Sequence, residues 1–242
     1  MDSDQGTRFV LADEGGQFFQ WYSQIREALS GRAIENTELT ELAEIVREYS
    51  VPQQFVFDLL RGLAKERQLD QYPDYPELRT WAYQTCSTLW LVVLKIGGLD
   101  LDDPERFGAA VDMGIAHGLI LKLANMVPQL ETKRIFLPEE EWVDRRLDLL
   151  DQSEPVDELL WKDLIQYQCL RVEEHLQNAL PLGSCFEKKV NGAIRKRMAV
   201  LETLLKKIRR NPVWILREPM ELGAWDRIKI NVRQVLGATA PL

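Results

Sequence analysis

The stretch of residues 114–138, GIAHGLILKLANMVPQLETKRIFLP, decides how this chain is expected to fold. Its first half is an apolar run interrupted by few polar residues. Gly114, Gly118, Leu121 and Asn125 recur in it at three- and four-residue steps, which places them on one face of a helix. Two interpretations of this face stay open. It either lines a pocket or belongs to an ordinary core helix in which glycines allow close packing.

The second half of the stretch contains a helix breaker. Pro128 has no N–H for the helical ladder, and its ring would clash with the carbonyl of Ala124 if the helix continued. It also biases Val127 away from helical dihedral angles. We therefore expect the helix to end or kink here, so that Asn125 and Gln129, four residues apart, do not share a face.

The whole stretch resembles, without a gap, the second aspartate-rich signature of the squalene/phytoene synthase family. That signature is a helical Gly-x-Ala-x-Gln-x-x-Asn-x-x-Arg-Asp-x-x-Glu-Asp run, followed by Gly-Arg-x-Tyr-Leu-Pro. The matching positions are Gly114, Ala116, Arg134, Leu137 and Pro138. The acids of the signature are replaced here by Asn125, Pro128 and Gln129. Its Gln, Asn and Arg are replaced by Gly118, Leu121 and Ala124.

An upstream segment, residues 62–92, resembles another part of the same family. Gly62, Tyr72 and Leu78 match its pattern. Glu66 stands where Asp is usual, and Trp81 stands where Tyr is usual. By this resemblance, we expect the first aspartate-rich motif of the family to be reduced to a remnant within residues 1–16, with Asp13 as its remaining acid. The helix that normally precedes the motif is expected to be missing, either because the start is assigned late or because the helix is lost.

The resemblance implies an all-α fold, a single domain over residues 1–242 built as an isoprenoid synthase-type helical bundle around a central cavity. The periodicity of apolar residues independently predicts helices and no sheet. The predicted helices cover residues 17–29, 37–49, 53–69, 77–96, a segment from 103 into the motif, 139–150, 156–180, 186–210 and 222–236.

Active members of this family condense two isoprenyl diphosphates, and the resemblance implies that Mg²⁺ bound by the two motifs assists diphosphate departure. Mg²⁺ prefers carboxylate oxygens, whereas an amide offers one neutral carbonyl oxygen. We therefore expect no bound metal and no cofactor, with Mg²⁺ required only if the protein is an active enzyme. The candidate contacts to the cavity or to a diphosphate are Glu66, Tyr72, Trp81, Gly114, Gly118, Leu121 and Arg134. For Arg134, a diphosphate contact and a solvated surface position are equally open.

Two functional hypotheses follow. In the first, the chain has lost Mg²⁺-dependent prenyl transfer and keeps a role in binding an isoprenoid or other lipid tail, or in assembly with a protein partner. In the second, it is an active prenyltransferase of terpenoid, carotenoid or hopanoid synthesis, with a partner subunit that supplies the missing carboxylates.

The charge of the chain limits which other partners are expected. The formal net charge is −8, which argues against nucleic acid, because phosphate backbones require a basic surface. Basic residues concentrate between positions 188 and 210, close to Trp214 and Trp225. This cluster predicts either a solvated helix face or peripheral contact with anionic lipid headgroups. The expected location is cytoplasmic, with peripheral attachment to a membrane if the second interpretation holds.

Overall fold

The computed structural model describes residues 17–151, 153 and 155–235. The expected remnant of the first motif, including Asp13, lies outside the described residues. The part of the chain that is described is almost entirely helical, and the all-α prediction is confirmed.

The helices follow one another along the chain with short connections. Their bounds are α1 Gln17–Leu29, α2 Thr37–Glu48, α3 Gln53–Gln68, α4 Tyr75–Ala82, α5 Thr88–Ile96, α6 Pro104–Ala124, α7 Met126–Thr132, α8 Glu139–Asp144, α9 Glu158–Asn178, α10 Lys188–Arg210 and α11 Ala224–Val235. Two strands, β1 Gln71–Tyr72 and β2 Ile135–Pro138, pair in parallel. The helix predicted over residues 139–150 ends early, because Arg146 adopts a left-handed conformation with φ 58°.

Short polar side chains fix where several helices begin. Asn36, Asp74, Asp103 and Asp157 each accept a hydrogen bond from a backbone N–H in the first turn of the helix that follows. Such N-caps satisfy donors that have no partner within the helix. The sequence therefore positions α2, α4, α6 and α9 through local chemistry.

Helix α6 is the central element, and it packs against α5, α9 and α10. By length and composition it could cross a bilayer, but 67% of its most apolar window is buried inside the protein. Its apolar character is accounted for by this burial, since a core helix is apolar on several sides.

A π-helical turn, Tyr83–Ser87, separates α4 from α5 within the segment that the periodicity predicted as one helix. In a π turn the backbone hydrogen bonds join residues five apart, one residue further than in an α-helix. The hydroxyls of Thr85 and Thr88 donate to the carbonyls of Trp81 and Gln84, at 2.8 and 2.6 Å, and so support the turn.

The π turn is pressed directly onto α6. A Cβ atom at Gly114 would lie 2.2 Å from Ser87 Cα, and one at Gly118 would lie 2.8 Å from Cys86 Sγ. Ser87 also donates to the carbonyl of Val111 at 2.6 Å. Gly114 and Gly118 thus serve close helix packing, the second of the two interpretations of this face, because the π turn fills the space beside them.

Candidate functional site

The helix of the motif breaks at Asn125, three residues before the proline. Asn125 has φ −113° and ψ 48°, outside the helical region, and it separates α6 from α7. Pro128 then lies in the first turn of α7, where a missing N–H costs nothing. The expected break is present, but the expected displacement of Val127 is wrong, since Val127 is helical within α7.

Gln129 holds this break together from inside. Its amide nitrogen lies 2.5 Å from the carbonyl oxygen of Lys122 and 2.8 Å from that of Asn125, and donates to both. Its amide oxygen accepts from the backbone N–H of Phe136 in β2, at 2.9 Å. The side chain is buried, with 7% of its surface exposed. A carboxylate has no hydrogen to donate to two carbonyls, so an amide is the side chain that this position requires.

Asn125, by contrast, is exposed and bonds only locally, from its amide nitrogen to the carbonyl of Leu121 at 2.9 Å. Leu121 itself is 39% exposed. Asn125 therefore completes the last turn of its own helix, and as expected it does not share a face with Gln129.

A partly buried ion pair lies beside this break. Lys122 Nζ in α6 is 2.8 Å from Glu66 Oε1 in α3. The other carboxylate oxygen of Glu66 accepts from the indole nitrogen of Trp81 at 2.9 Å. The carboxylate is thus neutralised and hydrogen-bonded by residues of the chain itself.

The lysine rests on an aromatic cluster. Its Nζ lies 3.5 Å from the ring centre of Phe136 and 4.9 Å from that of Trp81, at distances typical of cation–π contacts. Tyr72, Trp81 and Phe136 pack on one another with ring centres 4.8–6.0 Å apart. Burial raises the pKa of Tyr72, and the nearby Glu66 carboxylate raises it further. The Tyr72 hydroxyl has no hydrogen-bond partner among the described residues.

Arg134 closes the site from the side of β2. It donates to the backbone carbonyl of Glu66, and its Nε lies 3.5 Å from Asp70 Oδ1. The adjacent N–H of Ile135 donates to the carbonyl of Asp70 at 2.9 Å, which anchors β2 to the end of α3. Arg134 therefore ties two segments together, an arrangement that neither of the two sequence interpretations included.

The described donors do not form a set that suits Mg²⁺. The Glu66 carboxylate is taken up by Lys122 and Trp81, and the amides of Asn125 and Gln129 are bound to backbone groups. Within residues 17–151, 153 and 155–235 no group of three or more His, Cys, Asp or Glu side chains is placed to hold a metal ion. A divalent cation prefers several hard, charged oxygens, and the Lys122 ammonium already lies against the Glu66 carboxylate.

The structure thus brings together Glu66, Tyr72, Trp81, Arg134 and Gln129, and leaves Leu121 and Pro128 at the surface. Sequence reasoning missed two participants, Lys122 and Phe136. A signal for Lys122 was present, because it is the single charged residue in the run from 113 to 130. Its partner, 56 residues away, was not readable from the pattern.

Comparison with known proteins agrees with this architecture. A family model described as squalene/phytoene synthase matches residues 3–228. This chain belongs to the squalene/phytoene synthase family.

Among solved structures, it is similar to squalene synthase HpnC from Alicyclobacillus acidocaldarius, with a TM-score of 0.73, 18% identity, and coverage of 86% of this chain and 81% of the other. It is also similar to a dehydrosqualene synthase solved in complex with a ligand, with a TM-score of 0.78, 14% identity, and coverage of 97% and 87%. At these identities the likeness establishes the fold.

The curated relatives are longer proteins, and this chain matches only part of each. The chloroplastic phytoene synthase of an Oncidium hybrid cultivar is 21% identical over 164 residues, which are 66% of this chain and 40% of that protein. The 15-cis-phytoene synthase of Synechococcus elongatus is 20% identical over 169 residues, 66% of this chain and 54% of that protein. The chain therefore spans about half of the curated relatives it matches, or less.

Proposed function

We propose that this protein is a member of the family that has lost Mg²⁺-dependent prenyl transfer and acts as an isoprenoid- or lipid-binding protein or in assembly with a protein partner. The observation that carries the proposal is the ion pair of Lys122 with Glu66. A positive charge that belongs to the chain lies against the acid of the site, so a divalent cation gains little there and meets repulsion from the ammonium.

Gln129 supports the same conclusion. Its amide closes the break between α6 and α7, a task that needs two donated hydrogen bonds. A carboxylate at this position would leave the carbonyls of Lys122 and Asn125 without a donor. For the same reason, the double replacement Asn125→Asp with Gln129→Asp is not expected to restore prenyl transfer.

The experiment is a turnover assay with farnesyl and geranylgeranyl diphosphate, with and without Mg²⁺, in which products are detected by mass spectrometry. The phytoene synthase of Synechococcus elongatus serves as the positive control. We expect no prenyl-coupled product from this chain. Product that depends on Mg²⁺ would overturn the proposal and favour the active prenyltransferase. If that enzyme requires a partner subunit, product should form only when the chain is copurified with the partner.

A peripheral contact with a membrane, within the cytoplasm, is a separate part of the proposal. Several basic residues of α10 contact other side chains of the same chain: Arg197 contacts His117, Lys207 contacts Asp226, and Arg209 contacts Glu173. These contacts favour the interpretation of a solvated helix face for this part of the basic cluster. On α11, however, Trp225 and Ile228 are 75% and 50% exposed, three residues apart on one face.

Vesicle flotation tests this contact. Trp225→Ser should reduce the fraction bound to anionic vesicles, because indole rings anchor at the membrane interface. Leu159→Ser, at a comparably exposed position on α9, is the control and should have no effect. If both variants and the unmodified protein float to the same extent, the proposed contact with the membrane is wrong.

A further inference from the structure

A surface pocket of about 770 Å³ lies where the end of α10 meets the segment that leads to α11. Its lining contains one aromatic side chain, that of Trp214, which begins the short 3₁₀ turn Trp214–Leu216. The charged side chains of the lining are Lys207, Arg210, Glu218 and Glu221. A cavity of this size suits a small organic molecule.

Backbone hydrogen bonds hold the wall of this pocket in place. The N–H of Trp214 donates to the carbonyl of Asn211 at 3.1 Å, and the N–H of Glu218 donates to the carbonyl of Trp214 at 3.0 Å. The N–H of Met220 donates to the carbonyl of Ala124, the last residue of α6, at 2.7 Å. These bonds fix the segment before α11 against the ends of α6 and α10.

The lysine of the lining already has partners. Lys207 Nζ donates to the backbone carbonyl of Glu221 at 2.7 Å and lies 3.1 Å from Asp226 Oδ2. The Asp226 carboxylate also accepts from the N–H of Gly223 at 3.0 Å. Lys207 and Asp226 therefore compensate each other and close one side of the pocket.

Charges of both signs remain available around the indole ring. Arg210, Glu218 and Glu221 are exposed and have no ion pair among the side chains that the structure describes. The side chain of Trp214 is 42% exposed. A ligand in this pocket thus meets one free cation, two free carboxylates and an accessible aromatic face.

The surrounding charges favour neither a simple anion nor a simple cation. Three ion pairs lie at or next to the lining, and each is balanced: Lys207 with Asp226, Arg209 with Glu173, and Arg217 with Glu158. The free charges of the lining sum to −1. Positive side chains outside the lining, among them Lys206 on α10 and Lys229 on α11, offset this excess.

The free groups indicate a ligand that carries both charges. An alkylammonium group is attracted to the face of an indole ring, and carboxylates nearby add to that attraction. The guanidinium fork of an arginine matches the oxygens of a phosphate. A ligand with only one of these charges would face free groups of its own sign.

We propose that this pocket binds a zwitterionic phosphodiester of the phosphocholine type. Its phosphate meets Arg210, and its trimethylammonium group lies on the ring of Trp214 next to the carboxylates of Glu218 and Glu221. The pocket is separate from the Lys122–Glu66 pair, so the proposal holds whether or not prenyl transfer is lost.

Glycerophosphocholine is the probe, and its two halves are the matched comparisons. Choline carries only the positive charge, and dimethyl phosphate carries only the negative charge. In calorimetric titrations we expect saturable binding of glycerophosphocholine in the millimolar range or below, and binding of each half that is weaker by about fivefold or more. Absence of saturation, or equal affinity for either half, would overturn the proposal.

A second experiment distinguishes a lipid headgroup from the free compound. Vesicles of phosphatidylcholine are floated with the protein, with and without an excess of glycerophosphocholine. Flotation that the soluble compound suppresses assigns the pocket to the lipid headgroup. Saturable binding of the soluble compound without flotation assigns it to the free phosphodiester.

Replacement of the aromatic residue tests where the ammonium group lies. Trp214→Leu should weaken the binding of glycerophosphocholine and of choline by about fivefold, because it removes the ring face and keeps an apolar side chain. Trp21→Leu, at a tryptophan on α1 that is 52% exposed, is the control and should change neither affinity. Circular dichroism checks that each variant folds.

Replacement of the charged residues separates the two ends of the ligand. Arg210→Gln should weaken glycerophosphocholine about fivefold and should not weaken choline, because it removes a phosphate donor and a charge that repels the cation. Glu218→Gln combined with Glu221→Gln should weaken choline. Arg32→Gln, an exposed arginine on the loop after α1, is the control. If neither Arg210→Gln nor Trp214→Leu changes the affinity for glycerophosphocholine, the assignment is wrong.

Discussion

One face of α6 lies in two environments. At Gly114 and Gly118 it is pressed onto the π turn so closely that a Cβ atom has no room. One to two turns further on, Leu121 and Asn125 of the same face are exposed to solvent. Helical periodicity places all four residues together, but it does not tell which of them are covered by another element. In the buried part, Gly114 and Gly118 serve helix packing, whereas in the exposed part Asn125 only completes the end of the helix.

The largest effect should come from the buried amide that follows this face. Gln129→Glu removes both donated hydrogen bonds and places a carboxylate against two carbonyl oxygens in a site that is 7% exposed. Unfolding free energy should fall by about 4 kcal/mol at neutral pH. Urea denaturation followed by circular dichroism measures it.

Asn125→Asp is the matched control, since it makes the same amide-to-acid change at an exposed position. It should lower stability by less than about 1 kcal/mol. If the two variants lose the same stability, the distinction between the buried and the exposed amide is wrong.

The next effect compares two glycines of α6. Gly114→Ala should destabilise the protein by about 3 kcal/mol, because its Cβ atom would meet the backbone of Ser87 and the helices must separate. Gly108→Ala meets nothing within 4 Å and should stabilise it by about 0.5–1 kcal/mol, as alanine favours a helix over glycine. A stabilising Gly114→Ala in the same denaturation assay would show that open space exists beside the motif helix after all.

These comparisons also show how much the sequence could predict. Periodicity and caps predicted the helices over residues 17–29 and from 103 onward, and Pro128 correctly indicated a break, because these features depend on neighbours in the chain. The Lys122–Glu66 pair and the three bonds of Gln129 join residues on different elements, so no local pattern contains them. The π turn was missed as well, and its contacts with Gly114 and Gly118 also lie on another element, outside any local pattern.

A smaller, pH-dependent effect should come from His117, a partly buried residue of α6. Its Nδ1 accepts from the Trp90 indole at 2.9 Å. Burial, followed by the charge of Arg197, lowers the pKa of His117 from 6.5 to about 4 in the folded protein. Between these two pH values the unfolded chain binds a proton at His117 and the folded protein does not. The free energy of unfolding should therefore fall as the pH is lowered from 6.5 toward 4.

His117→Gln, which does not titrate, isolates this contribution. Its stability should decline less steeply than that of the unmodified protein over the same pH range, in thermal or urea unfolding. Because all other groups are the same in both proteins, only the difference between the two curves is informative. Parallel curves would mean that His117 takes up its proton equally in both states.

The most direct test of the central claim is whether Mg²⁺ promotes diphosphate binding. Farnesyl diphosphate and farnesol are titrated into the protein by calorimetry, with and without Mg²⁺, with thermal unfolding as a second readout. Since Lys122 already neutralises Glu66, we expect weak binding of both ligands, with similar affinity, and no change when Mg²⁺ is added. Saturable binding of the diphosphate that requires Mg²⁺ and far exceeds that of the alcohol would contradict the claim.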